Sequence, residues 1–243
     1  MKQTEICSRF GAPYVGYDPN LSLKNKAMTD LKSNFRERFR HPDIVVSMPS
    51  GPEFGVKSIL SYFEDEIRQG TVFRSGETVQ MGWMLLMLKA DENGDLDVWE
   101  PRFGEIPIIW VRGASKTYRQ LVVQKSVAEQ LGVEPSFPAL TQSAVVSPEF
   151  MASTSFQMSR ESSDGRDSGW FFTTDANVSN DGRPVSLFEI ASKRPEVIPF
   201  LALPAASSAM LNNGRVQISH GDKVVDSNSS EILRRLAGGN LIS

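Results

Sequence analysis

The strongest constraint in this chain is a succession of short apolar segments whose spacing keeps switching between helical and extended. Apolar residues recur at helical intervals over residues 22–40, 53–67 and 115–131. They run continuously or alternate over 44–48, 78–89, 96–100, 107–111, 143–146, 150–160 and 170–174. The two kinds do not succeed one another as strand–helix–strand units, and no fixed-period repeat is present. The sequence therefore predicts an α+β fold with mainly antiparallel sheets and a few helices. A Pro/Ser-rich connector at 134–138 sets a boundary near residue 140. Two sub-domains follow: a companion α+β domain over 1–140 with an irregular N-terminal arm, and a second α+β domain over 141–222. Residues 223–243 read as a polar, mobile tail with a short helix near 231–236.

Local punctuation supports these elements. Ser50 and Glu53, and again Ser186 and Glu189, have the spacing of a capping box. Gly70 and Gly132 stand where helices should stop. Asn93-Gly94 and Asn213-Gly214 suit tight hairpin turns. Pro199 within 197–203 argues for an extended, bent segment. Over 22–40 the apolar stripe Ala27, Leu31, Phe35, Phe39 is flanked by Lys24, Lys26, Lys32, Arg36, Arg38 and Arg40. Asp30 and Glu37 interrupt the basic run, so a solvated helix face is preferred over an adaptor helix docking on an acidic partner.

Bulk properties narrow the function classes. A net charge of −3 over 243 residues gives no global field for nucleic acid. Residues 1–14 hold no signal-type apolar core, and the runs at 81–88 and 197–203 are too short to span a bilayer. The single Cys7 excludes an intrachain disulfide. A cytoplasmic protein without membrane association is predicted.

The chemical motifs are weak. His41 and His220 are the two histidines and lack ligand neighbours at helical spacing, so no metal is expected. Residues 175–179 start like a calcium loop, but Asn180 and Ser186 occupy the positions that need Gly and Glu. Residues 113–117 lack the Gly that a phosphate loop places before its Lys, and read as a helix start. Glu64, Asp65 and Glu66 lie on a helix that needs a solvated face. An enzyme or enzyme-associated domain using carboxylates or Cys7 is thus the alternative reading, and no cofactor is called for. Trp83, Trp99, Trp110 and Trp170 sit in apolar strands and are expected in the core. Trp170 follows Gly169 and a polar turn, which also makes it a candidate partner anchor.

The stretch Asp167-Ser168-Gly169-Trp170-Phe171-Phe172, followed by a helix and then by Pro195, Ile198, Leu201, Leu203 and Pro204, carries a resemblance. Over about residues 143–220 the chain resembles a bacterial family, formerly of unknown function, grouped with immunity proteins of polymorphic toxin systems. Two positions depart from that family's pattern. The loop after the strand is mostly neutral here (Thr173-Thr174-Asp175-Ala176-Asn177), and Ala205-Ala206-Ser207 follows Pro204 where the family pattern has Gly. The resemblance implies a non-catalytic protein that binds a cognate toxin or effector, delivered for example by type VI secretion. The contact residues it implies lie in the loops 164–170 and 173–183: Asp164, Arg166, Asp167, Trp170, Asp175, Asn177, Asp181 and Arg183.

Overall fold

The computed structural model describes residues 27–49, 54–103, 107–174 and 182–239. Its elements form two separate sheets and fall into two compact units, the first ending at Arg119 and the second beginning at Gln120. This division lies upstream of the Pro/Ser-rich connector. The α+β class with mostly antiparallel pairing holds: of the strand pairs, β2–β5 and β7–β9, defined below, are parallel.

In the first unit, β1 (Met28–Lys32) pairs antiparallel with β2 (Ile44–Pro49) across a single helical turn, α1 (Phe35–Phe39). The helix expected over 22–40 is therefore corrected where it is described. Residues 28–32 gain a ladder with β2 that outweighs their helical spacing, and Leu31 stays 37% exposed instead of joining a core stripe. Residues 22–26 lie outside the described part, as does the capping box at Ser50 and Glu53. Helix α2 (Phe54–Arg68) lays Ile59, Phe63 and Ile67 against Val46, Leu86, Leu88 and Val98. The apolar run 78–89 is a hairpin, not one strand: β3 (Thr78–Met81) and β4 (Met84–Ala90) turn at Gly82, whose φ is 60°. Strand β5 (Leu96–Arg102) pairs with β4 and with β6 (Ile109–Arg112).

Helix α3 (Ser115–Leu131) starts under an unusual cap. The Glu100 carboxylate, 3% exposed, accepts from Lys116 N, Thr117 N and Thr117 Oγ1 at 3.1, 2.8 and 2.9 Å. A buried anion here faces the positive end of a helix, which favours it electrostatically. Burial nevertheless pushes the carboxyl up from its ordinary pKa, against the lowering effect of those donors.

The second unit is built on a seven-stranded sheet in the order β10-β7-β9-β8-β11-β12-β13. Its strands are β7 (Ser143–Val146), β8 (Phe156–Arg160), β9 (Asp167–Thr173), β10 (Arg183–Ser186), β11 (Ser207–Asn212), β12 (Arg215–His220) and β13 (Lys223–Asp226). Alternation sends Phe156, Met158, Trp170, Phe172, Ala209, Val216 and Ile218 to a buried face. Helix α4 (Leu187–Lys193) opens as predicted: Ser186 Oγ accepts from Glu189 N at 3.2 Å. The segment expected to be extended at 197–203 is instead a 3-10 helix over Pro195–Phe200. Proline at a first helical position is pre-set for such a turn, and Pro199 has no N–H to lose from it. Asn213 and Gly214, with φ of 49° and 69°, turn the β11–β12 hairpin. Residues 223–226, read from sequence as the start of a tail, are the edge strand β13, and α5 (Glu231–Ala237) buries Leu233 and Leu236.

Candidate partner-binding surface

The Ser-Gly-Trp stretch opens β9, and each of its residues has a packing reason. Ser168 Oγ donates to Ser143 O at 2.7 Å and so ties β9 to the start of β7. Gly169 has φ of 76°, and a Cβ there would fall 2.1 Å from Glu161 O. Only glycine fits that crossing. Trp170 is 1% exposed, and its Nε1 donates to Leu201 O at 3.0 Å. Of the two sequence readings of Trp170, the expected core residue holds and the partner anchor does not: its ring is enclosed and its one polar atom is used internally.

Arg160, which the sequence reading passed over, is the hub beneath this motif. It is 9% exposed and stands 5.7 Å from the centre of the Trp170 ring. Its Nε donates to Ser168 O at 3.0 Å, and its Nη1 to Ser136 O at 2.5 Å and Leu203 O at 2.7 Å. One guanidinium thus joins β8, β9, the 134–138 connector and the corner at 201–203. The signal was present: Arg160 continues the alternation of Phe156 and Met158, which puts it on the buried face. The corner also explains a departure noted from sequence. Ala206 has φ of 65°, a glycine-like conformation held while its N–H donates to Arg160 O at 2.8 Å.

The predicted contact residues are not brought to one place. Asp164 and Arg166 are exposed in the β8–β9 loop, and Asp167 is exposed at the start of β9. Arg183 is exposed at the start of β10, which runs antiparallel to β7, which in turn runs parallel to β9. It therefore sits at the opposite end of β9, a separation of roughly 20 Å at the usual rise of a strand. Asp175, Asn177 and Asp181 lie outside the described residues. The β8–β9 loop is pre-organised: Asp167 Oδ1 accepts from Gly169 N at 3.0 Å, Ser163 Oγ donates to Asp167 O at 3.0 Å, and Gln142 Nε2 donates to Gly165 O at 2.9 Å. Holding a loop in one conformation reduces the ordering cost of binding.

Both edges of this sheet are blunted. Pro184 removes a donor from β10. At β13, the Asp226 backbone and carboxylate are taken up by the turn: Ser229 N and Asn228 N donate to Oδ1 at 3.1 and 3.0 Å. Those donors hold the Asp226 carboxyl below its ordinary pKa. A partner strand thus finds little ladder to extend at either edge, which leaves the loops and the outer face.

Groups with chemical potential lie elsewhere. Glu64 on α2 pairs with Arg38 and with Arg68, and these hydrogen bonds hold its carboxyl below the usual range. An acid catalyst needs the opposite shift. An open concavity of about 470 Å³ in the first unit is lined by residues including Phe39, His41, Ile67 and Thr71. Both nitrogens of its buried His41 are engaged: Phe73 N donates to Nε2 at 2.9 Å, which leaves Nδ1–H to donate to Pro42 O at 2.7 Å. Ser207 Oγ meets His220 Nδ1 at 3.0 Å, but Ser207 is 2% exposed and the contact joins β11 to β12 across the ladder. Among the described residues no group of three or more His, Cys, Asp or Glu could hold a metal ion. Cys7 lies outside them. No helix among the described residues is long and apolar enough to cross a membrane.

The chain was compared with known proteins. No curated protein and no solved structure matched it. A family model did: residues 123–220 match the Imm33-like domain, a stretch that starts within α3, spans the Arg160–Trp170 hub and ends with β12, and so gives this part of the chain the likeness of an immunity-protein family.

Proposed function

We propose that this chain is a non-catalytic immunity protein, which binds a cognate bacterial toxin or effector in the cytoplasm of the producing cell and neutralises it. The observation that supports this most is the match over 123–220, which covers most of the strands of the second sheet. The geometry agrees with a binding role. The motif that carries the resemblance fixes the sheet from within, and it holds a rigid, polar loop at residues 161–167 on the surface. A protein that occludes another needs a stiff surface of roughly 800 Å² on its own side. Residues 27–119 would serve as a companion domain.

The test is co-expression with the toxin domain encoded beside the gene for this chain. Growth of cells making both, against death of cells making the toxin domain alone, is the expected result. Equal killing with and without this protein, at matched expression, would remove the proposal.

A further inference from the structure

Among the described residues, β1 ends one side of the first sheet, and it is the one strand whose residues are all exposed. Met28 is 53% exposed and Leu31 37%. The phase of its ladder with β2 is set where Ser33 N donates to Ile44 O at 2.9 Å. Thr29 and Leu31 share the parity of Ser33 and turn their N–H and C=O groups inward to β2. Met28, Asp30 and Lys32 turn theirs outward, where no described strand meets them.

Charges on an edge strand usually fend off another strand. Here both charges are already held: Asp30 by Arg112 at 2.8 Å, and Lys32 by Asp95 and, at 3.6 Å, by Asp43. They stand two residues apart with opposite sign, which makes the edge complementary to itself. Two copies related by a two-fold axis present these edges antiparallel, and a ladder forms only where outward residues face outward residues. With Leu31 on the axis, Asp30 of each copy faces Lys32 of the other, and Thr29 faces Ser33. Each Asp30–Lys32 pair then exchanges both main-chain hydrogen bonds and sets opposite charges side by side. The Leu31 side chains meet at a close, non-hydrogen-bonded position, with Cα atoms about 4.5 Å apart. Sliding one copy by one residue sets outward groups against inward ones and leaves no hydrogen bonds. Sliding it by two sets Asp30 on Asp30 or Lys32 on Lys32, like charges directly opposed. The sequence of the edge therefore selects one register.

We infer that the outer edge of β1 is the docking site for a second copy of this chain, which adds its own β1 antiparallel with Leu31 on the two-fold axis and so joins two first sheets into one. The site lies outside the family match at 123–220 and does not rest on the immunity reading. Strand addition of this kind takes its strength from main-chain hydrogen bonds. The contact is short, so the dimer is weak, with a Kd of about 10–100 μM.

The experiment uses the full chain and needs no toxin. Sedimentation equilibrium from about 5 to 500 μM should show a reversible monomer–dimer transition. A chain that stays monomeric throughout overturns the inference. Leu31→Lys and Leu31→Glu each set like charges on the axis and should weaken the dimer by at least about 10-fold, while an equimolar mixture of the two should associate again. Urea midpoints check that both fold. Dimers that persist in each folded variant alone lie elsewhere on the chain and overturn the inference, as does a mixture that fails to associate. The register is read with Cys7→Ser as the parent, so that one thiol is present. Leu31→Cys on the axis has the Cα separation a disulfide needs, whereas Thr29→Cys faces Ser33 of the other copy. With oxidised glutathione, Leu31→Cys should form the covalent dimer at least about 10-fold faster than Thr29→Cys. Equal rates overturn the inference, and this pair of variants decides it if the charged variants do not fold.

Discussion

The two units bury opposite charges: carboxylates in the first, guanidinium groups in the second. In the first, carboxylates are the acceptors and the cations lie outside. Asp95 is 2% exposed and takes Lys32 and Arg36, whose side chains are about half exposed. Arg112 bridges Asp30 and Asp97 at 2.8 and 2.7 Å. In the second, two cations are buried and their acceptors are mostly backbone, while pairs such as Lys193–Glu189 and Arg234–Glu231 lie at the surface. Arg160 donates to carbonyls of separate segments, and Arg194, 5% exposed, lies over the Phe150 ring and donates to Phe150 O. Surface ion pairs register strands but are worth little each. A buried guanidinium that closes on main-chain oxygens fixes irregular segments that no ladder holds. The second unit needs that device, because its corner at 201–206 and its connector at 134–138 lack strand partners.

The contrast is broken most severely at Gly169. Gly169→Ala should cost about 4 kcal/mol or prevent folding, since its Cβ would strike Glu161 O. Gly165→Ala is the control: its φ is also positive, 63°, but nothing lies within 4 Å of the added carbon. It should lose only about 1 kcal/mol. Urea unfolding followed by Trp fluorescence measures both. Equal losses would mean that backbone strain, not the crossing of β9 with residue 161, sets the requirement.

Arg160→Met comes next. It keeps the apolar stem against Trp170 but strands the carbonyls of Ser168, Ser136 and Leu203. A loss of about 3 kcal/mol is expected, the desolvation cost of acceptors left unpaired. Hydrogen exchange should rise at Ser136 N, which donates to Ala202 O within the same corner. A variant as stable as the parent would show that the corner is held by packing alone.

Much of this was legible before any coordinates. Alternation and turn residues located most strands, the Ser186 cap and the Asn213-Gly214 hairpin. What failed had local spacing that served two structures. Leu31, Phe35 and Phe39 fit a helix stripe, yet Met28–Lys32 is a strand because β2 offers a ladder that periodicity cannot reveal. Gly82 split the run 78–89 because a positive φ was available inside it. The motif at 167–172 marked a strand of the second sheet, and of the two readings of its Trp the core one holds, as the shared parity of Ser168, Trp170 and Phe172 implies. Arg183 and the loop at 164–167 proved to be a strand length apart, which only the direction of β9 decides.

Asp95→Asn tests the first unit's side of the contrast. The Lys32 hydrogen bond, then Arg36, hold the Asp95 carboxyl below its ordinary pKa in the fold. Its contribution is therefore present above the unfolded-state value and disappears as pH falls through the lowered one. The partners are half exposed and screened, so a loss of about 1 kcal/mol or less is expected near pH 7. The difference between parent and variant should close as pH falls below the ordinary carboxylate range. A gap that widened on acidification would give Asp95 the wrong sign.

The smallest effect should be a gain. Ala206 holds a φ of 65° while its N–H serves Arg160 O, so the second unit's corner carries strain that the first unit's edge pairs do not. Glycine adopts that conformation without a Cβ clash, worth about 1 kcal/mol, and gives back part of it through a freer unfolded chain. Ala206→Gly should therefore raise stability by about 0.5 kcal/mol. Arg160→Met keeps the main-chain bond to residue 206 but frees Leu203 O, so the corner loosens and the gain should shrink. A double-mutant cycle of the two substitutions reads this coupling directly. If the gain from glycine is the same with and without the arginine, the backbone at 206 is set by its own chain and not by the buried guanidinium.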